Sequence, residues 1–207
     1  MCKHLEDLRA RVQTELSEYR FRHTAGVVDM AARLAALYCP EKSDMLQAAA
    51  LLHDVTKELP ESEQRSIMAA NGVALRPDED ASPKIFHGIT AALLIPTRYP
   101  AWADAELLSA VRWHTTGRAG MTLTEALLYL ADYIEEGRRF ADCTELRERF
   151  WSAHPEAMTM PQKTAHLRTV LALSLEFTLR SLKDEGAAVC RDTEEAYLWL
   201  TKENNPF

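Results

Sequence analysis

Apolar residues recur at helical intervals along almost the whole chain, and no stretch keeps the apolar/polar alternation of a half-buried strand, so the pattern predicts an all-α fold. Val27, Met30, Ala31, Leu34 and Tyr38 fall on one stripe, and Cys39-Pro40 closes that helix because proline brings no N–H to continue the ladder. Ser43-Asp44 reads as an N-cap for the apolar run Leu46 to Leu52, and Asn71-Gly72 as the stop of a helix that follows Pro60. Residues 72–83, polar and rich in Asp, Glu and Pro, read as a surface loop before a helix carrying His87, Ala91 and Leu94, with Pro96 and Pro100 punctuating the next turn. Amphipathic helices follow over 104–114 and 124–134, separated by Gly117 and Gly120, the second introduced by the capping box Thr122 and Glu125. Residues 164–182 and 193–201 supply closing helices, and Trp151, His154 and Pro155 suggest an ordered turn between them and the rest. With no internal repeat and no low-complexity linker, residues 1–207 read as a single domain.

Composition narrows the function more than the fold. The chain is 47% apolar and 27% charged, which is the balance of a folded globular protein. Its net charge of -7 argues against a nucleic-acid backbone or an anionic membrane as partner, so any phosphate must be held by a local cluster of cations. The first ten residues mix Lys3, Glu6, Asp7 and Arg9 with leucines, unlike a signal peptide or membrane helix. The four cysteines, Cys2, Cys39, Cys143 and Cys190, are far apart, which fits reduced thiols and a cytoplasmic location better than a disulfide framework.

The chemistry gathers around His53-Asp54, which ends the run Ala48-Ala49-Ala50-Leu51-Leu52. Two metal-capable side chains at the rim of a core need partners, because unpaired polar groups are costly there. His23 and Asp132, the latter on the stripe Leu128, Ala131 and Ile134, are the candidates. Taken singly, each histidine is better explained as a packed or solvated residue, and Asp132 as a cap. The combination of His23, His53, His87 and His114, each beside an apolar helical segment, shifts the weight toward a site, while His4, His154 and His166 are given no role. Imidazoles with two carboxylates suit iron, manganese, cobalt or zinc rather than calcium or magnesium.

His23, then His53-Asp54, then Asp132 resembles the H…HD…D signature of the HD-domain phosphohydrolases. More narrowly, Leu52-His53-Asp54-Val55-Thr56-Lys57, His114-Thr115-Thr116-Gly117 and Ala131-Asp132-Tyr133-Ile134-Glu135 with Arg138 are similar to the YqeK-type symmetrical bis(5'-nucleosyl)-tetraphosphatases. The likeness runs from about residue 18 to 140, with a C-terminal helical extension over about 141–207. Glu136 stands where that family would carry proline, and Ile89-Thr90 where it would carry a small-residue pair.

The resemblance implies a divalent metal, iron first and manganese, cobalt or zinc as alternatives, held by His23, His53, Asp54 and Asp132, with a second ion left open. It implies symmetrical hydrolysis of diadenosine tetraphosphate to two nucleoside diphosphates, with His53, Asp54 and Lys57 as catalytic residues. Arg20, Lys57, His87, His114, Thr115 and Arg138 would contact the polyphosphate, and a homodimer stays open. Two rivals remain: an HD phosphohydrolase of another nucleotide, and a non-catalytic nucleotide-sensing module.

Overall fold

The computed structural model describes residues 3–202, in which helices and turns account for the whole architecture and no strand occurs. The helices are α1 (Lys3–Glu15), α2 (Glu18–Tyr38), α3 (Ser43–Leu52), α4 (Glu61–Ala70), α5 (Pro77–Asp80), α6 (Phe86–Arg98), α7 (Ala105–Trp113), α8 (Leu123–Ile134), α9 (Ala141–Ser152), α10 (Met160–Asp184) and α11 (Arg191–Thr201). Helix α3 is the axis of the core: Leu46, Ala48, Ala49, Ala50, Leu51 and Leu52 are all fully buried, and α1, α2, α7 and α8 pack around it. A helix apolar on every side belongs inside, and its three alanines let the neighbouring backbones come close. Leu146 and Phe150 of α9, Leu167 and Leu171 of α10, and Ala196 and Leu200 of α11 join the same apolar cluster as α2, α3 and α8.

Helix α8 starts with the expected capping box: Thr122 Oγ1 accepts from the Glu125 N–H at 3.3 Å, and Glu125 Oε2 accepts from the Thr122 N–H at 2.9 Å. That buried start anchors a helix that ends at Ile134, leaving Asp132 and Glu135 at the end nearest α2.

Three sequence expectations change, and one helix is added to them. Ser43 is the first residue of α3 rather than its cap, because the preceding turn Pro40–Lys42 already satisfies the Ser43 N–H through the Pro40 carbonyl. Pro96 lies inside α6, which runs on to Arg98 and ends where the Tyr99 N–H bonds the Ile95 carbonyl. The stretch 72–83 contains α5 and a buried Glu79, whose carboxylate accepts from Arg112 at 2.9 Å, while Asp78 accepts from the Arg191 N–H and pins the start of α11. Helix α1 was not foreseen, although Leu5, Leu8 and Val12 form its buried stripe. The turn after α9 is ordered, with His154 in the left-handed region at φ 55° leading into Pro155–Ala157. Cys39, Cys143 and Cys190 are buried and unpaired, and Cys2 lies outside the described residues. No helix among the described residues is long and apolar enough to cross a membrane.

Candidate metal centre

The centre is assembled where α3 stops. His53 caps the helix, and its Nδ1–H donates to the Ala50 carbonyl at 2.6 Å, which orients the ring and aims Nε2 away from the helix. The chain then continues in tight turns, with the Lys57 N–H bonded to the Asp54 carbonyl, so Asp54 and Lys57 leave on one side. His23 comes from the first turns of α2 and Asp132 from the last turn of α8. His23 Nε2 lies 3.0 Å from Asp132 Oδ1 and 3.8 Å from Asp54 Oδ2, and His53 Nε2 lies 3.4 Å from Asp54 Oδ2.

These contacts are close without being good hydrogen bonds: the Nε2 atoms of both His23 and His53 are buried with no hydrogen-bond partner. Buried nitrogen left unpaired is expensive, and two of them facing two carboxylates is the arrangement a cation would satisfy. His23, His53 and Asp132 each offer a donor atom within 4.8 Å of the others, as do His53, Asp54 and His114. The donors fit a divalent ion of the mixed nitrogen and oxygen class. Burial would raise the carboxyls of Asp54 and Asp132, yet both stay well below the usual range because His53 stands beside Asp54 and Arg138 beside Asp132. Burial also pulls His23 down, but Asp132 and Glu135 outweigh it and lift the imidazole to about 9.

One residue with a role escaped the sequence reading. Glu135, quoted only as part of a motif, is buried and faces His23 Nδ1 at 3.2 Å, so it orients the imidazole and directs its other nitrogen inward. It accepts from the Gly137 N–H at 2.5 Å, and a Cβ at Gly26 would collide with its Oε2, so both glycines make room for it. An acidic residue followed by Xaa-Gly, with a glycine three residues after the first histidine, was the available signal.

The second wall comes from α6 and α7. Thr56 donates to the His87 carbonyl at 2.9 Å and shares a bond with Thr90 at 2.8 Å, fastening the metal turn to the start of α6. Gly88 lets α6 approach α7, since a Cβ there would sit 3.1 Å from the Arg112 carbonyl. The Ile89-Thr90 pair therefore packs and bonds beside a close approach that Gly88 provides. His114 Nδ1–H donates to the Val111 carbonyl at 2.7 Å, so its Nε2 accepts from His87 Nε2–H at 3.0 Å, and His87 Nδ1 accepts from Lys57 at 3.2 Å. Burial pushes His114 down to about 4 and His87 well below its ordinary value, so both are neutral near pH 7. Burial also lowers Lys57, against the pull of Asp54 and Asp132.

A cleft of about 920 Å³ opens over this centre and is bordered by His23, Asp54, Lys57, His87, Thr115 and Asp132, with Arg20 and Arg138 at its sides. Arg20 is 2.7 Å from Asp54 Oδ2 and Arg138 is 2.5 Å from Asp132 Oδ1, so each predicted phosphate contact also braces a predicted ligand. His53 and His114 stand behind the lining, fully or almost fully buried. Thr116 turns its hydroxyl to the Gly117 carbonyl and serves the turn. Of the histidines given no role, His4 borders a different groove, His154 is exposed, and His166 bonds the Phe150 carbonyl.

This geometry agrees with what the chain resembles. The HD-domain pattern matches residues 20–137, which span His23 to Asp132. The symmetrical bis(5'-nucleosyl)-tetraphosphatase of Bacillus subtilis (strain 168) is 32% identical over 195 residues, covering 94% of this chain and 96% of that one. The protein of the same description from Staphylococcus aureus (strain NCTC 8325 / PS 47) is 32% identical over 148 residues, 70% of this chain and 73% of its own. A crystal structure of a predicted HD superfamily hydrolase involved in NAD metabolism, from Clostridium acetobutylicum, superposes with a TM-score of 0.80 at 31% identity over 97% of both chains. A metal-capable His/Asp cluster in an all-helical domain, within a pattern that covers more than half of the chain, leaves one assignment: the chain belongs to the HD-domain family and, within it, to the symmetrical bis(5'-nucleosyl)-tetraphosphatases.

Proposed function

We propose that this protein hydrolyses diadenosine tetraphosphate and related dinucleoside tetraphosphates symmetrically, in the cytoplasm, using a divalent ion held by His23, His53, Asp54 and Asp132. The observation that carries the reading is the charge of the cleft. The chain has a net charge of -7, yet the lining of this opening carries six cations, Arg20, Arg22, Lys57, Lys84, Arg138 and Arg139, against three acids, Asp54, Asp132 and Glu135. A polyanion is the ligand that such a cleft collects from an otherwise acidic surface.

His23, His53, Asp54 and Asp132 would hold iron or manganese, which would supply charge neutralisation and acidify a water. The protein's own groups do the positioning. Lys57, in contact with His87, places a positive charge beside Asp54, the Thr115 hydroxyl is the neutral donor available to a phosphate oxygen, and Arg20 and Arg138 guard the two sides. Water adds to one inner phosphorus, the bond to the oxygen bridging the inner pair breaks, and each half leaves as a nucleoside diphosphate. Because His87 and His114 are neutral and their N–H groups are bonded within the protein, they bring no charge to the phosphates, and Lys57 is the cation this wall of the cleft supplies.

Product chromatography tests the reading: metal-loaded protein should turn diadenosine tetraphosphate into ADP alone. AMP with ATP would contradict symmetrical attack, and release of orthophosphate or pyrophosphate from other nucleotides at higher kcat/KM would move the chain to another HD substrate class. Metal analysis on the same sample separates one ion from two. About one equivalent matches the four ligands, whereas two would recruit His114, whose Nε2 is 3.9 Å from Asp54 Oδ1.

A further inference from the structure

Two aromatic rings at the mouth of the cleft have no part in the metal centre or the phosphate contacts. Among the described residues, Tyr19 and Phe140 are the most exposed large hydrophobic side chains, at 74% and 68%, and both border this same opening. Tyr19 sits in the first turn of α2, and Phe140 immediately precedes α9. Their placement is locally unfavourable. Phe140 occupies the N-cap of α9, where Ser, Thr, Asp or Asn would accept a backbone hydrogen bond, and it makes no side-chain cap. A position that breaks a local folding rule and leaves a large ring in water is one that answers to function.

The surroundings say which function. The Arg20 guanidinium lies 5.9 Å from the Tyr19 ring centroid and 2.7 Å from Asp54, so the ring is one guanidinium away from a metal ligand. Arg139, next to Phe140, makes no ion pair among the described residues, and Arg22 is held only by an exposed partner, Glu18. Rings interleaved with cations, of which Arg139 is unengaged and Arg22 only loosely held, are the composition that binds a nucleotide, stacking on the base and pairing with the phosphates.

We propose that Tyr19 and Phe140 form the nucleobase platform of this cleft, each ring stacking on a base of the substrate while the inner phosphates lie over the metal ligands. This rests on the reading of the cleft as a dinucleoside polyphosphate site. Stacking uses the π-face that every base has, so the platform binds adenine and guanine with little discrimination.

The test compares wild type, Tyr19→Ala, Phe140→Ala and the double variant, all full-length and manganese-loaded, by calorimetric titration with ADP and, separately, with pyrophosphate. The double variant should weaken ADP binding about tenfold and leave pyrophosphate binding unchanged, with a smaller loss in each single variant because one base can still use the remaining ring. Tyr19→Phe and Phe140→Tyr should restore it, since the ring and not the hydroxyl carries the contact. Unchanged ADP affinity in the double variant, or an equal loss for both ligands, overturns the proposal. The two readings fail separately: wild type that binds ADP through these rings but forms no ADP from diadenosine tetraphosphate keeps the platform and loses the activity, whereas ADP formation unaffected by the double variant keeps the activity and loses the platform.

Discussion

The floor of the cleft and its rim are built on opposite physical principles. On the floor, His53, Asp54, His87 and His114 are at most 3% exposed, each has its orientation set by a carbonyl, a carboxylate or another imidazole, and the Nε2 atoms of His53 and of neighbouring His23 are left without partners. On the rim, the side chains of Arg22 and Lys84 are each 75% exposed and paired only with exposed acids, and Tyr19 and Phe140 stand in water. Burial makes the floor intolerant and chemically specific, because every polar atom there depends on a fixed partner. Exposure makes the rim adaptable, since each charge contributes little alone. The difference teaches that reaction type is decided at α2, α3 and α8, and that substrate capture is spread thinly over the entrance.

That contrast predicts a graded series. Asp54→Ala should remove a buried anionic ligand, abolish metal retention and cut kcat/KM by about 10³-fold or more, measured by metal analysis and product chromatography. Glu135→Gln should keep the fold, with unchanged circular dichroism, while weakening metal affinity by about 10–100-fold in competition with a chelator, because His23 loses its charged orienting partner. Gly26→Ala should act in the same direction by displacing that carboxylate. Lys57→Ala should lower kcat/KM about tenfold while metal content stays intact, which separates a phosphate contact from a ligand. Arg22→Ala should change kcat/KM by less than about fivefold, with most of that difference lost at high salt, as an exposed charge requires. Metal loss in Lys57→Ala, or a large effect at Arg22, would erase the boundary between floor and rim.

Much of this was legible in the chain because the relevant signals are local. The stripe of α2, the apolar run of α3 and the Thr122–Glu125 box of α8 each report a helix without needing its neighbours, and His53-Asp54 marks its own place at a helix end. What escaped depends on contacts between distant segments. Glu135 faces His23 across 112 positions, and its only sequence signal, Gly137 beside it and Gly26 beside His23, gains meaning once the two segments are brought together. The loop that became α5 is ordered by Arg112 and by the start of α11, both far along the chain. Pro96 ended the expected helix by a rule that holds for an isolated segment; in α6, packed against α4 and α7, the helix carries one missing N–H and continues. Arg20 and Arg138 were foreseen near phosphate, but only the folded geometry pairs them with Asp54 and Asp132.

The central claim is that the ion at His23, His53, Asp54 and Asp132 drives symmetrical cleavage. It is tested most directly by titrating manganese or iron, anaerobically, into metal-free protein and following ADP formation from diadenosine tetraphosphate against metal bound. The account predicts that ADP appears as the sole nucleotide product, rises in proportion to bound metal up to about one equivalent and stays absent in Asp54→Ala. Turnover by the metal-free protein, or by Asp54→Ala at the wild-type rate, would contradict it.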